Sequence, residues 1–509
     1  MSFPNRDDSI KRPEEGLSRG KGEKVVSSIS ACEVSGNASC EVRGGHSTDD
    51  CEDSITSLEG RAPAVYKAVP DGGELHSAVS MHGGTRIRRL EPFLDSLYQC
   101  AKADRQRVFH SLHDKLCSME ILTEAWRRVA SNNGTAGIDG ETIEDIRNRG
   151  VEQYLFELQH ELADKTYTVE CVRRVYIPKP NGKQRPLGIP TIRDRIVQQA
   201  VRLLIEPIFE ADFQDFSYGY RPNKSAKQAS LEIRKYLNFG LTNIVDIDIE
   251  DFFGTIDHDK LISFVMERIG DPYIIKLIRE WLMAGVVYNG ETTHPDMGTP
   301  QGGVISPLLA NIYLNRLDTA WKDRKMDSRY GQNAHLIRYA DDVCVLTDRE
   351  PSKAMAVMNE LTGSLGLRLS PEKTRITKAR QGFDFLGFHF VRVWNGRRKK
   401  EVTYFYPSAK SVRKFRDRVR EIIPLTRSHR KSGKQAISEL NALIAGWSDY
   451  FNHSNANRVY ARLDMYLVWK MAKFHCKVHK ITRVSSRRDI MQKIRLEGLI
   501  TLAGRIQYV

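Results

Sequence analysis

Two short segments place carboxylates where they could do chemistry. Ile244-Val-Asp-Ile-Asp-Ile249 alternates apolar and acidic residues, so on a strand Asp246 and Asp248 share one face. Asp341 lies ninety-three positions beyond Asp248, in the run Leu336–Leu346, which sets Tyr339-Ala-Asp-Asp342 between two apolar half-strands. That is the pattern of a tight hairpin with adjacent carboxylates at its tip. Adjacent carboxylates repel unless a cation lies between them. Mg²⁺ prefers carboxylate oxygen and keeps positions open for substrate phosphates. Asp248, Asp341 and Asp342 could therefore hold two Mg²⁺ ions for phosphoryl transfer, one lowering the pKa of an attacking hydroxyl and the other stabilising a departing pyrophosphate. Each piece alone is ordinary. Tyr-x-Asp-Asp turns up by chance in roughly a few per cent of chains this long, and a lone Asp248 is a strand-edge charge. The weight lies in their order and in what stands between and around them.

The elements that must position these residues are legible in outline. Leu90, Phe93, Leu94, Leu97, Leu112, Leu116 and Ile121 recur at helical spacing. Asn132-Asn-Gly134 and Gly137-Ile-Asp-Gly140 break the chain, and Glu152 to Leu162 resumes a helix. Val172–Ile177 and Gln184–Ile189 read as strands joined by an Asn-Gly turn. Arg193–Phe209 predicts an amphipathic helix. From 243 to 390 strands alternate with helices, and from about 405 the pattern is helical to the end with basic faces.

No stretch reaches the ~18 apolar residues of a membrane span, and the N-terminus has no apolar signal region. The eight Cys form no Cys-x-x-Cys, which fits a reduced cytosol better than a disulfide framework. The formal net charge of +14 is unevenly spread: −5 over 1–85, zero over 86–391 and +19 over 392–509. Such an excess on one segment marks a polyanion-binding surface more often than a merely solvated face. Residues 1–85 are rich in Ser, Gly, Asp and Glu without apolar periodicity, the composition of a disordered segment. His475 and His479 share a helical face beside Cys476, yet too few further ligands follow for a structural zinc.

Read together, the blocks resemble those of group II intron-encoded reverse transcriptases that are also maturases. Asp248–Phe253 is similar to the family's first catalytic block and Tyr339–Asp342 to its second. Gly298–Tyr313 (Gly-Thr-Pro-Gln-Gly-Gly-Val-Ile-Ser-Pro-Leu-Leu-Ala-Asn-Ile-Tyr) is the most specific match. Tyr176–Pro190 resembles the fingers hairpin, and Phe216–Pro222 a further block. Leu369–Thr374 and Phe383–Phe388 resemble the blocks after the catalytic hairpin, and Asn132–Gly140 the N-terminal extension. Leu440–Phe451 resembles part of the maturase domain, with Leu443, Trp447, Tyr450 and Phe451 on one helical face.

The resemblance implies an α+β right-hand polymerase: fingers, a palm whose antiparallel sheet carries the aspartates, and a helical thumb. It implies boundaries of 1–85 for a disordered acidic extension, 86–235 for N-terminal extension and fingers, 236–391 for the palm, 392–480 for thumb and maturase, and 481–509 for a basic tail binding DNA or RNA. It places Asp248, Asp341 and Asp342, with Ile249, at two Mg²⁺ ions. Lys179, Arg185, Phe253, Gln301 and Lys373 would contact the deoxynucleoside triphosphate. Arg185 would also stack on the base, Phe253 would exclude a 2′-hydroxyl, and Lys373 would serve the leaving pyrophosphate. Phe385, Leu386 and Gly387 would grip the primer. Arg413, Lys414, Arg416, Arg418 and Arg420 would face intron RNA. Expected partners are that RNA, a DNA target and primer strand, and no membrane; the expected place is the bacterial cytoplasm or nucleoid. The chain carries no signal of oligomeric state. It is expected to lack the His- and Cys-rich nuclease domain that ends many relatives. Gly254 stands where the family usually has an acid, and Glu250 and Asp251 where a basic residue and a glycine are common. The competing readings are another bacterial reverse transcriptase, of the retron or diversity-generating type, and an RNA-binding splicing cofactor without polymerase activity.

Overall fold

The computed structural model describes residues 83–178, 182, 184–294, 297–299, 302–423, 433–478, 492 and 498–507. Nearly all of 1–85, most of 481–509, Lys179, Gln301 and His479 lie outside the described residues. So do the side chains of His475 and Cys476.

The chain begins with helices α1 (Gly83–Ala103), α2 (His113–Leu116), α3 (Met119–Ser131), α4 (Ile143–Arg149) and α5 (Val151–Ala163). Strands β1 (Val172–Pro178) and β2 (Gln184–Ile189) form the expected hairpin, and α6 (Ile192–Glu210) follows. Helix α6 differs from expectation: it is buried on nearly every side, not amphipathic. Its polar residues are covered because neighbours satisfy them. Arg195 donates to the carbonyls of Pro190 and Thr135, and Glu206 accepts from Arg202 on its own helix.

Asp194 at the start of α6 is fully buried and accepts a hydrogen bond of 2.5 Å from Tyr167 Oη. Burial outweighs that bond and pushes the Asp194 carboxyl up to about 6. A carboxyl raised in the fold favours folding most below its unfolded value, and that contribution is lost as pH rises through about 6. Wild type should therefore lose up to about 3 kcal/mol relative to Asp194→Asn between pH 4 and 7. Urea unfolding of both chains across that range checks it; parallel curves would show that Asp194 does not titrate this way.

The middle of the chain runs α7 (Ala226–Asn238), β3 (Asn243–Asp248), α8 (Phe252–Thr255), α9 (His258–Met266), α10 (Pro272–Met283), β4 (Val286–Tyr288), β5 (Glu291–Thr293), α11 (Ser306–Asp323), β6 (His335–Tyr339), β7 (Asp342–Thr347), α12 (Pro351–Ser364) and β8 (Arg375–Lys378). An antiparallel sheet of order β6-β7-β3-β8 lies at its centre. Val245, Ile247, Val343 and Val345 pack on one side of it, into a core shared with α9, α11 and α12. Ile244, Cys344 and Leu346 pack on the other, with α7 and the C-terminal helices. A second sheet, β2-β1-β4-β5, joins the hairpin to later residues through parallel pairing of Val172 with Val286. The expected boundary at 235/236 falls inside α7, and β4–β5, placed beyond it, join the sheet of the β1–β2 hairpin.

The last part holds β9 (Phe383–Phe385), β10 (Phe388–Asn395), β11 (Lys400–Pro407), α13 (Ala409–Ile422), α14 (Gly433–Phe451) and α15 (Asn457–Val478). The sheet β11-β10-β9 crosses the expected boundary at 391/392. Helical structure begins after Pro407 rather than near 405, because Phe405 pairs with Phe390 in a ladder of buried aromatic rings.

Candidate active site

Strand register brings the acids together. β3 and β7 pair so that Asp248 stands opposite Asp342, and β6 and β7 pair so that Tyr339 also faces Asp342. Paired residues share a face, so the face carrying Ile244 and Leu346 turns acidic toward its end, at Asp246, Asp248 and Asp342. Ala340, in the turn, takes a left-handed φ of 57°.

The hairpin tip is pinned from behind by a residue that spacing arguments do not reach. Arg338 is 0% exposed. It donates to Asp318 of α11 at 2.9 and 2.5 Å, to Asn311 Oδ1 at 2.9 Å and to the Ala340 carbonyl at 3.0 Å. Asn311 in turn donates to the Gly219 carbonyl at 2.8 Å. The Phe216–Pro222 block lies along β6 like a further strand: Tyr218 N–H donates to Arg338 O and Arg338 N–H to Phe216 O. Gly219 is required there, since a Cβ would come within 2.3 Å of the Ala340 nitrogen. The sequence signal was a single charge inside the apolar run Leu-Ile-Arg-Tyr.

Cations balance part of the acidic cluster. Lys373 Nζ lies 2.8 Å from Asp248 Oδ2, and Arg375 pairs with Asp246 at 3.2 Å. Burial and then the Asp341 charge push Asp342 up to about 6. Burial also raises Asp341, against the opposing fields of Arg185 and Lys373. Arg185, exposed on β2, thus acts on the same pocket of charge from the fingers side. Among the described residues no three His, Cys, Asp or Glu side chains are gathered closely enough to hold a metal ion as they stand. Ile249 is buried and bridged to Leu369, so only its backbone could serve as a ligand.

Phe252 is the core aromatic, at 2% exposed, whereas Phe253 is half-buried. The Phe253 carbonyl accepts from Thr299 N–H, and a cavity of about 120 Å³ separates Phe253 from Arg174, Pro186 and Gly188 of the fingers sheet. Gly302 lies against that sheet: a Cβ there would meet the Gly188 carbonyl at 2.4 Å.

The departures at 251 and 254 have one explanation. Asp251 takes a left-handed φ of 40°, and its Oδ2 sits 2.3 Å from where a Cβ on Gly254 would be. The carboxylate at 251 occupies the space over 254. Gly254→Asp alone should cost about 1–3 kcal/mol through overpacking and like charge, and Asp251→Gly in the same chain should restore stability. A double variant no more stable than Gly254→Asp would show that the two positions are not coupled.

The Phe385–Gly387 turn is clasped by the C-terminal helices. Tyr450 Oη donates to the Leu386 carbonyl at 2.9 Å, and Ser411 Oγ and Ser408 N–H donate to that of Gly387 at 2.8 and 2.9 Å. Burial, and then Tyr339 and Asp342 nearby, raises Tyr450 to about 12, so its hydroxyl stays protonated to donate to Leu386. On α13, Phe415, Val419 and Ile422 face the core. Arg413 and Lys414 are exposed, Arg418 pairs with Glu421, Arg420 pairs with Asp417, and Arg416 packs on Tyr466.

Residues 177–390 match the family model of reverse transcriptase (RNA-dependent DNA polymerase), and 412–494 match the maturase-specific domain of group II introns. Protein YkfC of Escherichia coli is 37% identical over 309 residues, 54% of this chain and 81% of that protein. The group II intron-encoded protein LtrA of Lactococcus lactis subsp. cremoris is 38% identical over 235 residues, 45% of this chain. This chain belongs to the group II intron-encoded reverse transcriptase and maturase family. Among such reverse transcriptases its match to LtrA spans 38% of that protein's length. Maturase-like protein 1 of Euglena gracilis, 24% identical, matches over 71% of each chain. The reverse transcriptase match contains the whole acidic cluster and the Phe385–Gly387 turn, and the maturase match begins within α13. No described helix is long and apolar enough to cross a membrane.

Proposed function

We propose that this chain synthesises DNA on an RNA template at Asp248, Asp341 and Asp342, and that it binds a group II intron RNA, assists its splicing and copies it into a DNA target during retrohoming. The observation that carries the polymerase reading is the register that sets Asp248 opposite Asp342 at the tip of a pinned hairpin. The donor set fits Mg²⁺ in kind: hard carboxylate oxygens on Asp248, Asp341 and Asp342, two of them raised by burial and by one another's charge, which a divalent cation would relieve. Two bound ions would activate a primer 3′-hydroxyl and neutralise charge at the departing pyrophosphate.

The chain's own residues do the rest. Arg185 and Lys179 bind the triphosphate from the fingers, with Gln301 beside the incoming nucleotide. Phe253 packs under the sugar. Lys373, on Asp248 when no substrate is present, is placed to turn toward pyrophosphate. The Phe385–Gly387 turn seats the primer end. The +19 segment meets intron RNA, so affinity should fall steeply with salt. The bacterial cytoplasm or nucleoid is the proposed place of this activity. Primer extension on poly(rA)/oligo(dT) in Mg²⁺ tests the polymerase. Splicing help without any extension by the wild-type chain would sink it.

A further inference from the structure

One cluster of cations on the C-terminal helices has no counter-charge among the described residues. Lys470 of α15 is only 7% exposed, and no carboxylate pairs with it among the described residues. Its ammonium lies 5.8 Å from the Tyr466 ring centre and 5.5 Å from that of Trp469. Lys473 Nζ stands 4.1 Å from the Trp469 ring centre. From α13, the Arg416 guanidinium lies 5.3 Å from the Tyr466 ring centre, and among the described residues its buried Nε has no hydrogen-bond partner. The nearest acid on that helix, Asp417, is paired with Arg420. Burial lowers the Lys470 pKa, and Arg420 and Lys473 lower it further.

Aromatic faces attract cations but do not neutralise them. Sequestering a positive group without an anion is costly, and crowding like charges adds to the cost. A bound polyanion relieves both. Beside these cations Trp469 leaves 42% of its surface open, on the side of α15 away from the buried Leu467 and Met471. An open indole offers a stacking face for a base, and only a base freed from pairing can use it. Phosphate-seeking cations around a stacking face describe a nucleotide of an unpaired strand. Arg416, Tyr466, Trp469, Lys470 and Lys473 all lie within the 412–494 maturase match and outside the polymerase match. That favours intron RNA over the copied template.

We propose that Trp469 stacks an unpaired base of the bound intron RNA while Arg416, Lys470 and Lys473 hold its phosphates. The site rests on the reading of this chain as an intron-binding protein. The test uses the full chain and intron RNA transcribed from the DNA flanking its reading frame. Trp469→Ala and Lys470→Met should each weaken filter binding roughly tenfold, and Trp469→Phe should stay close to wild type. Lys470→Met should melt no lower than wild type, because it removes a buried charge and keeps the stem. Primer extension on poly(rA)/oligo(dT) should be unchanged in all three. Intron affinity unaltered in both Trp469→Ala and Lys470→Met overturns the site. A matching loss of primer extension overturns the choice of intron RNA and gives the cluster to the template. A lower melting temperature for Lys470→Met assigns it to folding. If wild type binds the intron no better than an unrelated structured RNA, the functional reading fails along with the site.

Discussion

Asp341→Ala will extend a primer at least about a thousandfold more slowly than the wild-type chain, because a metal clamp on a transferring phosphoryl group supplies several kcal/mol and each 1.4 kcal/mol is tenfold. The fold should survive the change. Burial already raises the Asp341 carboxyl, so its charge is held at a cost in the absence of a cation. Alanine relieves that cost, and the variant should melt no lower than wild type in metal-free buffer. Intron binding and splicing assistance should also persist, since they are assigned to α13–α15. Steady-state extension in Mg²⁺, alongside a splicing assay, decides the matter. Extension within about tenfold of wild type would remove Asp341 from the metal set. Parallel loss of splicing would show that the two functions are not separable.

The second large effect is expected at the Arg338–Asp318 pair, both fully buried. Asp318→Ala leaves a guanidinium without its carboxylate and should cost about 3–5 kcal/mol in urea unfolding. Arg338→Met should cost a similar amount, since Asp318 is then stranded. Combining Arg338→Met with Asp318→Leu removes both charges and should recover much of that stability, because apolar replacements of buried pairs are often neutral. Activity should not follow stability back. Arg338 also holds the Ala340 carbonyl and Asn311, so the Tyr339–Asp342 turn loses its fixing points in the double variant. A stable double variant with weak primer extension is the expected signature. Full activity in that chain would show that the pair matters only for folding.

How far the sequence reaches can be argued from particular residues. That Asp246 and Asp248 share a face was legible because period-two alternation sets it, and the Tyr339–Asp342 tip because apolar half-strands flank it; the register that sets Asp248 opposite Asp342 was not, because no hairpin joins β3 to β7. The Phe385–Gly387 turn was legible as a block, but its clasp by Ser411 and Tyr450 was not, because those residues lie 24 and 64 positions away. Strands β4 and β5 have three residues each, too short for alternation to show. The burial of α6 depends on Thr135 and Pro190 meeting its polar side, which no window of α6 contains. Arg338 and Asp318 sit on a strand and a helix, so their pairing is tertiary. Lys470 reads in sequence as one more cation on a basic helix; only its burial sets it apart.

The clasped turn at Leu386 and Gly387 also bears on inheritance. Swapping the maturase segment between relatives at residue 391 would cut β10 and part the Leu386 and Gly387 carbonyls from the side chains that hold them. A recombinant made there would have to rebuild the proposed primer seat as well as the proposed RNA surface. The two halves are therefore constrained to diverge together. In a lineage whose intron no longer needed help to splice, selection on DNA synthesis alone would still preserve Ser411 and Tyr450.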